Sequence, residues 1–198
     1  MSAVPTRRRQ QGFALLAVAA LSAAGLHAGN AFAGARAALS STRTARSALD
    51  KDLVQSSWAE VCPDTSKETL TAVGTVIFDA LFETDQSTKD LFSFGDRLNE
   101  AEQKKFDKHV AGFTQTVDKA VKGLDDIPTL LPVLNYLGER HAYHDVTKEH
   151  YDTAGKTLLA VLEKVLEPKG LWTPETKESW TEVWKVMDSE MRKGQGIA

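Results

Sequence analysis

From Asp50 to its C terminus, this 198-residue chain repeats its apolar side chains every three or four positions, and no stretch alternates apolar with polar over the length of a strand. That spacing puts the apolar groups on one face of an α-helix. Such stripes are buried helix against helix. Start and stop signals divide the pattern. Asp50 can cap a helix over about 51–62, with Leu53 or Val54, Trp58 and Val61 on one face, and Pro63 stops it. A second helix, about 66–84, carries Leu70, Val73, Ile77 and Leu81, with Phe78 and Phe82 alongside. Ser87 to Phe92 makes a short helical turn, and a loop over 93–98 bends at Gly95. Asn99 with Glu102 predicts a capping box for a helix reaching about Lys122 and burying Phe106, Val110, Phe113, Val117 and Ala120. Gly123 closes it.

Asp125 or Asp126 can cap the next helix, about 127–142, which aligns Leu130, Leu134, Leu137 and His141. Thr147 opens another, to about Leu166, with Tyr151, Leu158, Leu162 and Val165 inward, before Pro168 and Gly170 break it. Thr173 and Pro174 suit an N-cap and first helical position. The last helix then runs to about Arg192 with Trp180, Val183, Trp184, Met187 and Met191 on its inner face. The expectation is an all-α domain over 50–198, six long helices and one short one. Several helical folds satisfy that pattern.

Charge separates this body from what precedes it. Residues 1–49 hold six of the chain's 24 Lys and Arg and none of its 27 Asp and Glu, which leaves the body with 18 cations against 27 anions. An acidic body repels phosphates, so nucleic acid is not an expected partner. Within the basic segment, Arg7 to Arg9 precede an apolar run from Phe13 to Leu26, and Ala31-Phe32-Ala33 has the small-x-small form of a cleavage site. Residues 1–33 therefore resemble a signal peptide, with an apolar run too short to span a bilayer comfortably. Residues 34–49, rich in Ala, Ser, Thr and Arg, resemble a transit peptide or a linker. The two together suggest a plastid address. Secretion and a mitochondrial address are the alternatives, and the paired arginines also resemble a twin-arginine export signal. No stable membrane span is expected once the leader is removed.

Cys62 is the single cysteine, so no internal disulfide and no cysteine zinc site can form. Its plain reading is a buried helix-end residue. Two histidines stand out by spacing. His109 lies three residues after Phe106 and four before Phe113, and His141 follows Leu134 by seven and Leu137 by four. Each sits on an apolar helix face. An imidazole there can be a core histidine bonded to a backbone carbonyl. A pair of them on facing helices can instead hold a flat iron cofactor. For His141, the carbonyl of Leu137 one turn back is the natural acceptor for one ring nitrogen, which leaves the other for a metal. His141-x-x-His144 has zinc-site spacing but no convincing third ligand, so His144 is expected to be exposed at the helix end. His150 is read as a solvated residue at the start of its helix.

The segment from Leu137 to Val146, followed by Glu149-His150-Tyr151 and Gly155-x-x-Leu158-Leu159, resembles the proximal-histidine region of the globin family. Gly74 to Phe82, Leu91-Phe92 and Lys108-His109-Val110 resemble its distal half, and Trp58 and Trp172-Thr173-Pro174-Glu175 match near the two ends. The likeness spans about 50–198 in the family's order and is nearest to neuroglobin-like, single-domain globins. It implies a globin fold and a haem b (iron) cofactor. It implies His141 as proximal ligand, His109 as distal histidine, Phe92 stacked on the haem, Phe78 and Phe113 lining the distal pocket, Leu137 packed under the ring and Val146 on the proximal wall. His144, Arg140 and Lys105 are candidates to reach a haem propionate. Whether His109 also binds iron is left open.

The chain departs from the family at Gln86, where many globins have proline, and at Phe113, where an aliphatic residue is usual. The function implied is reversible binding of dioxygen, nitric oxide or carbon monoxide. The enzymatic alternative, nitric oxide dioxygenation or nitrite reduction, would need a separate reductase, since the chain carries no dinucleotide-binding glycine pattern. A structural or pigment-binding role would use Cys62, which lies far from the expected pocket.

Overall fold

The computed structural model describes residues 49–198. The leader readings at 1–33 and 34–49 lie outside the described residues, apart from Leu49. Seven α-helices make up the described part: α1 (Lys51–Val61), α2 (Lys67–Thr84), α3 (Gln86–Asp90), α4 (Glu100–Lys122), α5 (Ile127–His141), α6 (Lys148–Leu166) and α7 (Pro174–Gln195). Among the described residues there is no strand. Six helices are long and α3 is short, as the periodicity predicts, and the fold is all-α. No helix of the described residues is long and apolar enough to cross a membrane.

Side-chain oxygens set the helix starts. Asp50, Asn99, Asp126 and Thr173 each accept a backbone N–H of the first turn, the bond at Asn99 measuring 3.0 Å. Each such cap contributes about 1 kcal/mol. Ser66 is a cap and not the first helical residue. The Asn99–Glu102 box differs from the expected form, because the Glu102 carboxylate accepts the N–H of Leu98 (2.7 Å) and the Asn99 amide (3.0 Å). The α7 helix outlasts its expected end by three residues and stops at Gly196, whose φ of +80° suits a glycine after a helix.

Two helix crossings fix the architecture. The α5 helix packs most closely on α7, and α2 on α4. Small residues permit both. A Cβ at Gly138 would fall 1.9 Å from the Met191 carbonyl oxygen, one at Gly194 1.9 Å from that of Asn135, and one at Gly74 2.3 Å from that of Val110. The main core joins α1, α2, α4, α5, α6 and α7 around Val54, Trp58, Leu134, Leu162 and Trp180. Its tryptophans are paired (centroids 5.8 Å apart) and their N–H groups are satisfied, Trp180 by Ser57 at 2.9 Å and Trp58 by Asp118 at 3.2 Å. Cys62 is buried beside them, and burial raises its thiol pKa to about 11. Val165 is only half-buried; its neighbours Val161 and Leu166 turn inward instead. A second, aromatic core of Phe78, Leu81, Phe82, Phe106 and Val110 lies between α2 and α4.

Candidate functional site

His141 is the last residue of α5. Its Nδ1 lies 2.7 Å from the carbonyl oxygen of Leu137, one turn back. A carbonyl can only accept, so Nδ1 carries the proton and Nε2 presents its lone pair. Burial lowers the His141 pKa, against the Leu137 bond, which raises it, and the nearby His144 lowers it further. The ring is therefore neutral at pH 7.

The helix that supplies this imidazole is braced from the C terminus. Tyr151 on α6 packs its ring 5.9 Å from that of His141 and donates its hydroxyl to Gln195 at 2.9 Å. Burial pushes the Tyr151 pKa to about 12, so the hydroxyl stays protonated. The Gln195 amide donates in turn to the carbonyl of Val146. The guanidinium of Arg192 lies over the Tyr151 ring at 5.7 Å and pairs with Asp188 (2.7 Å) and Asp152 (2.6 Å).

His109, on α4, sits among aromatic rings. Phe92 lies 4.9 Å away, Phe78 5.2 Å and Phe94 5.9 Å, centroid to centroid. Phe113 packs edge-on against Phe78 at 5.2 Å. The residue is exposed to solvent at its surface, yet enough protein surrounds the imidazole for desolvation to lower its pKa to about 4, with His141 and His144 lowering it further. Among the described residues His109 has no hydrogen-bond partner.

The predicted residues thus fall in two groups. Phe78, Phe92, Phe113 and His109 come together between α2, α4 and the loop after α3. Leu137 and Val146 pack instead against the main core on the His141 side. The helices that carry the two histidines, α4 and α5, make at most marginal contact with each other, while His141 is near enough to act electrostatically on His109. Neutral imidazoles and apolar walls are the donor set a flat iron porphyrin requires, and the residues fit that group.

Phe94 was not predicted for this site. Its only signal was a second aromatic residue two positions after Phe92. His144 is exposed, and no group of three metal-binding side chains occurs among the described residues. The guanidinium of Arg140 lies over Tyr143 at 5.3 Å. His150 is not simply solvated: its Nδ1 accepts the Thr147 N–H at 3.0 Å and so closes the start of α6. A separate cleft of about 490 Å³ lies between α1 and α4, away from both histidines, with Asp118 held by Trp58 and Lys122.

Known proteins share this sequence pattern and this fold. The Globin family model matches residues 75–191. The chain is 29% identical to neuroglobin of Danio rerio over 149 residues, covering 73% of this chain and 89% of that protein. It is 27% identical to neuroglobin of Dissostichus mawsoni, with the same coverage. The crystal structure of a hexacoordinated heme protein from an anhydrobiotic tardigrade, at pH 4, has the same fold, with a TM-score of 0.60 and 22% identity over 77% of this chain and 95% of that one. The match to the family model extends over more than half of the sequence, and the chain belongs to the globin family, with haem as its cofactor.

Proposed function

We propose that the protein binds a diatomic gas reversibly, with His141 as the residue that would hold the iron of haem b and His109 as a second iron ligand that would give way to the incoming gas. The observation that carries this reading is the state of the two imidazoles. His141 has its Nδ1 proton committed to Leu137 and its Nε2 lone pair available. His109 is neutral, has no competing hydrogen bond among the described residues, and is confined by three phenylalanine rings. The tardigrade protein with the same fold is described as hexacoordinated, which supports this choice over a free distal histidine.

Haem, when bound, supplies an iron centre that takes a diatomic ligand. The chain's own residues do the rest. The Leu137 carbonyl fixes the tautomer and orientation of His141. Phe78, Phe92 and Phe113 exclude water and offer no hydroxyl, so a hydrogen bond to a polar gas ligand falls to His109. Such a bond is worth about 1.5–3 kcal/mol when the acceptor carries charge. Dioxygen, a gas able to accept that bond, is the ligand this arrangement would favour most. Because His109 competes for the same position, the apparent gas affinity is reduced by the fraction of protein in which it has moved away.

The test is the absorption spectrum of the ferrous, ligand-free protein. A low-spin, six-coordinate spectrum is expected, and His109→Leu should convert it to the high-spin, five-coordinate form and speed carbon monoxide binding on the order of tenfold or more. A wild-type spectrum that is already high-spin and five-coordinate would rule out His109 as a ligand.

A further inference from the structure

Arg97 occupies a backbone conformation that arginine rarely adopts. Its φ is +52°. Left-handed backbone costs energy in any residue with a Cβ, and turns give it mostly to glycine, asparagine or aspartate. The other described non-glycine residue in this region, Asp145 (φ +54°), is of a tolerated type. Strain of this kind persists where surrounding contacts hold it, and the Arg97 side chain makes two. Its Cζ lies 4.4 Å from the centroid of Phe106, a residue with no exposed surface. Its terminal nitrogen lies 2.9 Å from Asp79 Oδ1, an oxygen that is buried and has no other polar partner among the described residues.

One side chain therefore joins three elements: α2 through Asp79, α4 through Phe106, and the loop over 91–99 that bears Arg97 itself. Phe106 lies one turn before His109 on α4. Elsewhere in the loop, Asp96 pairs with Lys89 of α3. Backbone bonds from the Gly95 N–H to Phe92 (2.9 Å) and from the Arg97 N–H to Phe94 (3.2 Å) fold the loop tightly. Those bonds position Phe92 and Phe94, two of the rings that confine His109.

We propose that Arg97 is a latch: a positioning residue that holds the 91–99 loop against α2 and α4, keeps Phe92 and Phe94 closed on His109, and so sets how readily the His109 ring can swing. The consequence for gas entry rests on the haem site proposed above. The latch itself does not.

The full chain tests both parts. Arg97→Asn keeps a residue that tolerates the left-handed turn but is too short to reach Phe106 or Asp79. It should speed hydrogen exchange at the Gly95 and Arg97-position amides about tenfold, the loss expected for one cation–π contact and one half-exposed ion pair. Exchange at Val117 in the main core should not change. Asp79→Asn should give part of the same effect, and the double variant no more than Arg97→Asn alone. Unchanged or slower loop exchange in Arg97→Asn would overturn the latch, since the arginine would then be only a poor turn residue. In haem-loaded protein, the return of His109 after photolysis of carbon monoxide should also change several-fold. A loosened loop with unaltered return kinetics would overturn the coupling to His109. Loop exchange needs no assumption about iron ligation, so failure of the latch and failure of the haem-site reading give different results.

Discussion

Haem retention should collapse when His141 is replaced by alanine. Altering a group that merely supports a metal ligand costs about 10–100-fold in affinity, so loss of the ligand itself should cost on the order of 100-fold or more. The measurement is the rate at which haem leaves the purified variant for an excess of an acceptor apoprotein. Added imidazole should restore part of the Soret band, because the variant leaves room for a free ring where the side chain stood. That rescue separates a missing ligand from a damaged fold. A variant that keeps haem as long as the wild type would show that position 141 does not hold the iron, and would remove the basis of the proposed function. A glutamine at 141 keeps a polar side chain but no imidazole, and it should lose haem nearly as fast as alanine.

The largest effect on stability is expected from Gly138→Ala. The added methyl group would lie 1.9 Å from the Met191 carbonyl oxygen and 2.7 Å from its carbon. Both are backbone atoms, so no rotamer change can make room, and α5 and α7 must part. Overpacking typically costs 1–3 kcal/mol and occasionally more. Relief here requires moving the closest helix crossing among the described residues, so about 3 kcal/mol is expected. Urea unfolding monitored by circular dichroism would show it as a lowered midpoint with an unchanged slope. Gly112→Ala is the control. It adds the same methyl group inside a helix, but nothing lies within 4 Å of it. That change should stabilise the protein by up to about 1 kcal/mol, because alanine is the better helix former. Equal midpoints for the two variants would mean that α5 and α7 can part at this crossing at little cost. Because His141 lies three residues after Gly138, Gly138→Ala should also weaken haem binding.

Much of this architecture is legible in the residues themselves. Helix starts at Asp50, Asn99, Asp126 and Thr173 depend on a side chain and a backbone N–H within one turn. The His141–Leu137 bond is legible for the same reason, since residues four apart on a helix stack. The sequence places Phe94 in a loop, and nothing in its neighbours reveals that α4 brings His109 within 5.9 Å of it. Arg97 was equally silent, its partners Asp79 and Phe106 lying 18 positions before it and nine after it on two different helices. His150 was read as solvated because a histidine in place of the usual glutamate hides a capping box.

Apolar spacing and local capping chemistry, both short-range along the chain, determined the number and order of the helices and most of their starts, and marked His109 and His141 as the pair to follow. Only the folded molecule decided which rings enclose His109, that three glycines allow the helices to cross at backbone distance, and that an arginine ties a loop to two helices. Those contacts join residues far apart in sequence, and their geometry depends on how the helices pack rather than on the spacing within any one of them.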